Sequence, residues 1–132
     1  MEGVPTEFVF WSAEREVDDL HRIDIGLYPI PADEWSLGKS SLKALTYMAI
    51  AIPFVATAYG TNYRIMEHGQ QGFMASTPEE WKKYLLMLID DAGLRRNMGL
   101  SGRKRVVEKY SVEANLPVYL KVFSEVAGEP NS

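Results

Sequence analysis

The sequence predicts an α/β fold, with a Rossmann-like parallel sheet of about four strands, flanking helices and a helical C-terminal segment. Short apolar runs alternate with helical patterns up to residue 76, as they do in βαβ units. Some of these runs are apolar throughout, which is typical of parallel strands covered on both faces. We therefore expect βα units over 1–76, a helical segment over 77–128 and a frayed tail over 129–132.

The first two strands are predicted within the first 30 residues. Glu7–Trp11 is short, aromatic and β-branched, which favours a strand. From Ala13 apolar residues recur at intervals of three, which predicts a short helix that ends at Asp24. The nearly apolar run Ile25–Ile30 predicts the second strand, and a loop over Ala32–Gly38 follows it.

Two more strands continue the alternation. A helix is predicted from about Ser40 to Ile50, and Pro53 ends it. Phe54–Thr57 is predicted as the third buried strand. A small helix around Tyr63–Glu67 and a short fourth strand at Phe73–Ala75 complete the pattern.

The C-terminal segment is predicted to be purely helical. Thr77-Pro78-Glu79-Glu80 combines a capping threonine, a first-turn proline and a glutamate three places on, which forms a capping box. The helix that it opens is expected to end near Gly93. Further helices are predicted from near Leu94, over Ser101–Lys109, and after a capping Ser111.

Composition excludes several classes of protein. The chain has 132 residues, 46% of them hydrophobic, which fits a single globular domain with a real core. The absence of cysteine excludes disulfides, a thiol nucleophile and thiolate metal sites. A net charge of −4 argues against nucleic acid as a partner. The longest apolar run, Met48–Ala58, is too short for a transmembrane segment, and no secretory signal is found, so we expect a cytoplasmic location.

The loops after the predicted strands are the candidate ligand sites, since ligands of open parallel sheets bind beyond the carboxyl ends of the strands. Gly38-Lys39-Ser40-Ser41 places a flexible residue, a cation and two hydroxyls at a helix start. The unpaired amides and the positive dipole end of such a helix favour an anion, here a phosphate. The alternative is that Ser40 is only an N-cap and Lys39 only a solvated side chain.

Lys39 and Lys43 are the cations expected to meet a phosphate, but no residue is assigned to catalysis. His21 and His68 lack metal-ligand spacing, and no metal is expected. Asp33 and Glu34 are adjacent carboxylates of a loop, which usually face solvent. A phosphorylated receiver domain is disfavoured, because Asp24 lies at the wrong end of its strand.

A series of motifs runs in a fixed order through residues 24–75. They are Asp24-Ile25-Gly26-Leu27-Tyr28-Pro29, Trp35, Gly38-Lys39, Lys43-Ala44-Leu45-Thr46-Tyr47-Met48-Ala49, Pro53-Phe54-Val55-Ala56, Gly60-Thr61-Asn62 and Glu67-His68-Gly69-Gln70-Gln71-Gly72-Phe73. Further matching pieces are Phe10-Trp11-Ser12-Ala13-Glu14-Arg15-Glu16, Glu80-Trp81, Leu94-Arg95, Met98-Gly99, Arg103 and Tyr110-Ser111. Together they resemble the C-terminal half of retaining, GT4-class glycosyltransferases of the GT-B fold.

The resemblance implies a nucleotide-diphosphate sugar as donor substrate, with no other cofactor. It implies that backbone amides around Ser40, Ser41 and Leu42 hold the diphosphate, and that the base packs near Trp11 and Ser12. The donor-binding residues that it implies are Trp11, Ser12, Gly38, Lys39, Ser40, Ser41, Leu42 and Thr46.

This sequence departs from the family at two of those positions. Many such enzymes carry glutamates where Gly38 and Thr46 stand here. The first of these glutamates lies near the donor sugar, and the second accepts hydrogen bonds from the ribose. Thr46 can still bond a ribose hydroxyl, although a neutral group binds it more weakly than a carboxylate does. Ala51 replaces a glycine that usually precedes the strand proline.

The resemblance also implies an N-terminal GT-B domain as partner, which binds the acceptor. The basic residues that grip the diphosphate would then precede Met1. We therefore expect a partial domain, inactive alone, from an enzyme that is cytoplasmic or peripheral at the membrane. The alternative is a non-catalytic interaction module whose exposed apolar surface pairs with a second copy in a homodimer.

Overall fold

Three parallel strands and seven helices make up the part of the chain that the computed structural model describes, residues 3–128. In chain order the elements are α1 (Glu16–His21), β1 (Gly26–Tyr28), α2 (Glu34–Leu37), α3 (Leu42–Ala49), β2 (Phe54–Thr57), α4 (Asn62–Ile65), β3 (Gly72–Ala75), α5 (Pro78–Asp90), α6 (Ala92–Lys109) and α7 (Val112–Ala127). The predicted α/β class, with a parallel sheet and a helical C-terminal segment, is confirmed.

The sheet has the order β1-β2-β3, with β2 in the centre. Phe54 of β2 pairs with Gly26 on one side and with Gly72 on the other. Phe54, Val55 and Ala56 are fully buried, which explains why this strand is apolar at successive positions rather than at alternate ones.

The prediction of a strand at Glu7–Trp11 was wrong, and the described sheet therefore has three strands rather than four. The segment lies outside the sheet, with Phe8 80% and Trp11 74% exposed. Its aromatic composition indicated a strand, but a strand is stable only when its backbone groups find partners in a neighbouring strand.

The sheet separates two apolar clusters. One lies between the sheet, α3 and α4 and includes Met48, Phe54 and Met66. The other lies towards α5 and α6 and includes Val55 and Leu88. The two clusters bury both faces of β2, which holds the strand ends, and the loops that follow them, in fixed positions.

Several predicted helix boundaries differ from those observed. The loop predicted over Ala32–Gly38 contains α2, whose first turn is capped by Asp33 through a bond from the Ser36 amide. Two separate helices were expected beyond Leu94, yet α6 is continuous to Lys109. Gly99 and Gly102 do not break α6, and both are buried where this helix packs closely against Ala51 and Met48.

The helix caps of the C-terminal segment are confirmed. Thr77 Oγ1 accepts a hydrogen bond from the Glu80 amide at 3.2 Å, while Glu80 Oε2 accepts one from the Ser76 amide at 2.6 Å. Ser111 caps α7 through the Ala114 amide, as expected. No described residue of α7 is buried. The predicted tail, 129–132, lies outside the described residues.

Candidate functional site

The carboxyl end of β2 is joined by hydrogen bonds to the turn that precedes α3. Ser41 Oγ donates to Asn62 Oδ1 at 2.8 Å, and Asn62 Nδ2 donates to the Thr57 carbonyl at 2.8 Å. Thr61 Oγ1 donates to the Lys39 carbonyl. The start of α3 is therefore fixed relative to the end of β2.

The turn itself has an unusual backbone. Ser41, the N-cap residue of α3, has φ 56° and ψ 31°, in the left-handed region that favours glycine. Its side chain does not cap the helix, since the hydroxyl is bonded to Asn62. The amides of Leu42 and Lys43 have no hydrogen-bond acceptor within residues 3–128. These two residues are exposed, so the amide end of α3 opens at the surface.

A cavity of about 860 Å³ lies beside this helix start. That volume falls within the range of about 300–1,000 Å³ that is usual for small-molecule sites. The N-terminal segment, α1 and its following residues, and the first turns of α3 form its walls. The lining residues are Glu7, Val9, Trp11, Ser12, Glu16, Asp19, Leu20, Arg22, Ile23, Leu42, Lys43, Thr46 and Tyr47.

The two basic side chains that line the cavity, Arg22 and Lys43, differ in their ion pairs. Arg22 forms an ion pair with Glu7 at 2.8 Å and lies 3.9 Å from Asp19. Lys43 lines the same cavity and has no ion-pair partner among residues 3–128. The helix start therefore brings a lysine charge to the cavity wall, and the two unpaired amides of the same residues also favour an anion.

Four of the eight residues that were predicted to bind the donor line this cavity: Trp11, Ser12, Leu42 and Thr46. The other four, Gly38, Lys39, Ser40 and Ser41, lie just before α3 and do not line it. The α3 helix begins at Leu42, two residues later than predicted. The Ser41 side chain is buried and bonded to Asn62, whereas Leu42, Lys43 and Thr46 line the cavity.

The Thr46 and Ser12 hydroxyl groups at the cavity each donate a hydrogen bond within the protein. Thr46 Oγ1 donates to the Leu42 carbonyl at 3.0 Å, which leaves its oxygen able to accept a bond from a ligand hydroxyl. Ser12 Oγ donates to Glu14 Oε2, and this bond holds the pKa of the Glu14 carboxyl below its ordinary value. Both residues are thus available mainly as acceptors.

Sequence reasoning missed Asn62 and Tyr47 as contributors to the site. Asn62 was placed in the candidate loop Ala58–Asn62 and in a matching motif, and Tyr47 only in a matching motif, so neither side chain was given a role. Tyr47 lies in the core yet reaches the cavity wall, and its hydroxyl donates to the Leu27 carbonyl at 3.2 Å. The spacing of an asparagine in a turn contains no signal for a partner 21 residues away.

The histidines and the acidic loop pair have other roles. His68 Nδ1 accepts a hydrogen bond from the Met74 amide at 3.0 Å, and its ring packs edge-on against Tyr84. The side chain and amide of Ser36 hold the pKa of Asp33 below its ordinary value. Across residues 3–128, no cluster of three or more potential ligands could hold a metal ion, and none of the helices is long and apolar enough to cross a membrane.

Comparison with known proteins identifies the family of the chain. Residues 6–91 match the family described as "Glycosyl transferases group 1". The chain is 27% identical over 122 residues to a probable sucrose-phosphate synthase of Thermosipho melanesiensis, covering 90% of this chain and 27% of that protein. The chain thus spans about a quarter of the length of this relative.

Solved structures show the same fold. A sucrose-phosphate synthase of Thermosynechococcus elongatus superposes with a TM-score of 0.70 at 16% identity, over 85% of this chain and 27% of that one. The C-terminal domain of a glycosyl transferase group 1 family protein from Francisella tularensis superposes with a TM-score of 0.61 at 22% identity. The superposition covers 80% of this chain and 53% of that one.

The family match covers well over half of the chain and includes both the N-terminal wall of the cavity and the start of α3. The chain belongs to the group 1 glycosyl transferases and has the Rossmann-like α/β architecture of the C-terminal, GT-B part of such an enzyme.

Proposed function

We propose that this chain is the donor-binding part of a retaining, GT4-like hexosyltransferase that takes a sugar from a nucleotide-diphosphate sugar. One observation carries the proposal: Leu42 and Lys43, whose backbone amides have no acceptor among residues 3–128, both line the cavity of about 860 Å³. A diphosphate at this helix start would have its charge met by backbone dipoles and one lysine. The exposed Trp11 ring and the Thr46 oxygen would then be available to the base and the ribose.

A titration with uridine diphosphate and guanosine diphosphate tests this role. We expect the wild-type chain to bind one of them, and Lys43→Ala to weaken that binding by about tenfold, as expected for a lost charged hydrogen bond. Lys82→Ala, which removes an exposed lysine of α5, is the matched control and should bind as the wild type does. If neither nucleotide binds, or if both variants bind equally well, the proposal is wrong.

Lys39→Ala tests which of two candidate cations meets the diphosphate. Both Lys39 and Lys43 are expected from the sequence to do so, but only Lys43 lines the cavity. A larger loss of affinity in Lys43→Ala than in Lys39→Ala would support the site described here. The reverse order would place the diphosphate over the preceding turn.

The proposed donor site needs no metal, because amides and Lys43 provide the positive charge. We expect a chelator to leave nucleotide affinity unchanged. We also propose that this chain alone transfers no sugar, since a donor in so exposed a cavity remains in contact with water and lacks an acceptor site. An N-terminal GT-B domain would be the partner that supplies one. Two similar proteins are named as synthases of sucrose phosphate, so sugar phosphates belong among the acceptors tested with any longer form.

Self-association is a second candidate function, and α7 favours it. Its apolar residues recur at intervals of four and three, which is the spacing of a helix-pairing seam. These residues are Val112, Leu116, Tyr119, Phe123 and Val126, and all are exposed. For this second function we propose that the apolar face of α7 packs against a second copy of this chain. A sedimentation experiment that finds a dimer in wild type and a monomer in Phe123→Glu would favour this role.

A further inference from the structure

The serine that precedes α3 has a backbone conformation that must be held in place. Ser41 has φ 56°, which residues other than glycine rarely adopt, and only 2% of its surface is exposed. The residues that it precedes, Leu42 and Lys43, supply the amides of the proposed donor site. Whatever holds Ser41 therefore also determines where these amides point.

A buried hydrogen-bond chain holds this turn. Ser41 Oγ donates to Asn62 Oδ1, and Asn62 Nδ2 donates to the Thr57 carbonyl, each at 2.8 Å. Asn62 has no exposed surface, so water does not compete for either bond. The carboxamide thus links Ser41 directly to the end of β2.

The same chain reaches the loop that follows β1. Thr57 Oγ1 accepts a hydrogen bond from the Ile30 amide at 2.9 Å. The turn before α3 is consequently fixed to the carboxyl ends of two strands whose positions the core determines.

We infer that Asn62 is a positioning residue for the donor: through Ser41 it holds the first-turn amides of α3 at the mouth of the cavity. The inference rests on the proposed donor-binding function. Neither side chain touches the donor, because Ser41 and Asn62 are buried and bonded to each other. The contribution of Asn62 is to the geometry of the anion site and not to its charge.

Ser41→Gly tests this role with less disturbance of the core than Asn62→Ala, since it removes only one of the two buried hydrogen bonds. Glycine adopts φ above zero without strain, so the turn remains accessible while the bond to Asn62 is lost. We expect the Kd for the bound nucleoside diphosphate, uridine or guanosine, to rise about fivefold, in line with one lost hydrogen bond. Amide hydrogen exchange at Leu42 and Lys43 should also become faster in the absence of nucleotide.

A double-mutant cycle shows whether both residues act through one bond. Asn62→Ala alone should weaken binding at least as much as Ser41→Gly. The double variant should then bind no more weakly than Asn62→Ala. Fully additive losses would contradict the inference. Should Asn62→Ala not fold, Ser41→Gly and the exchange rates still decide the question.

Ser101→Ala is the matched control for global stability. It removes a serine hydroxyl that accepts from Gln71 Nε2 at 3.3 Å, on α6 and away from the cavity. Its nucleotide affinity should equal that of the wild type. If Ser41→Gly binds as the wild type does, with unchanged exchange, the inference is overturned and the proposed function stands. If the wild-type chain binds neither nucleotide, both are overturned.

Discussion

Gly99 shows how one absent β-carbon sets the distance between two helices. It lies on α6 where this helix crosses the end of α3, and a Cβ there would overlap the carbonyl oxygen of Ala51 and lie 2.7 Å from its carbon. Gly102, one turn on, faces Met48, which is a flexible side chain. The approach of α6 to α3 therefore depends on Gly99 more than on Gly102.

Gly99→Ala should destabilise the protein by about 3 kcal/mol, because the backbone of Ala51 must move to admit the new methyl group. Gly102→Ala should cost less, since the Met48 side chain, 3.0 Å from the added Cβ, can change rotamer. Urea denaturation of both variants measures the difference. Equal losses would mean that the two helices do not pack as described.

Tyr47 predicts how stability changes at alkaline pH. Burial raises the pKa of its hydroxyl above the ordinary value. A raised pKa in the folded state means that the fold favours the protonated form. This contribution to the free energy of unfolding is fully present below a pH of about 10 and is lost as the pH rises through the folded-state pKa.

Denaturation measured at increasing pH, from neutral to strongly alkaline, should therefore show a loss of stability that is shallower in Tyr47→Phe. The variant should also lose about 1 kcal/mol at neutral pH, because the bond from the hydroxyl to the Leu27 carbonyl is gone. Parallel profiles for the two proteins would show that another group causes the alkaline loss.

At the scale of elements, Arg105 joins α6 to the end of α4. Its guanidinium donates to the Ile65 carbonyl at 2.7 Å, to Glu67 Oε1 at 2.6 Å and to the Arg64 carbonyl at 3.3 Å. The side chain is only 14% exposed. These donors satisfy carbonyls at the C-terminus of a short helix that would otherwise lack partners.

Arg105→Lys should destabilise the protein by about 2 kcal/mol, because one ammonium group cannot reproduce the three directions of the guanidinium. Glu67→Gln is the comparison variant. It removes only the charge of an exposed partner and should cost less than about 1 kcal/mol. Thermal unfolding distinguishes the two. If Arg105→Lys unfolds at the same temperature as the wild type, charge alone matters at this position.

Elements that depend on local signals were predictable, and those that depend on distant contacts were not. The α5 helix follows from its capping box, and β2 follows from a short apolar run after Pro53. The start of α3 was placed two residues too early, because its turn is fixed by an asparagine 21 residues away. The continuity of α6 was missed because a separate helix was predicted over Ser101–Lys109, whereas Gly99 and Gly102 lie within one helix that packs against α3.

At the scale of the whole molecule, stability should be uneven along the chain. The β2 strand is buried on both faces, whereas α7 contains no buried residue. Local opening costs least where few apolar contacts are broken. The predicted ligand site near the start of α3 stays a prediction, and the cavity wall formed by α1 depends on tertiary packing that no local pattern contains.

Amide hydrogen exchange under native conditions should therefore be slowest in Phe54–Thr57 and fastest, among the helices longer than three turns, in α7. We expect a difference in protection of several hundredfold at least, since about 4 kcal/mol of local stability separates frayed from core segments in small domains. Protection of α7 equal to that of β2 would indicate that the exposed helix face is covered in solution, as self-association would require.

The Tyr47 hydroxyl also affects the outer edge of the sheet. Along a strand, the N–H and C=O groups of successive residues point to opposite edges. The Gly26 amide donates to the Pro53 carbonyl next to β2, so the N–H and C=O groups of Leu27 point away from β2. Tyr47 occupies the carbonyl there that an incoming strand would need as an acceptor. Growth of the sheet beyond β1 must consequently displace a phenol from α3, so the same side chain that supports the cavity also discourages intermolecular β-pairing.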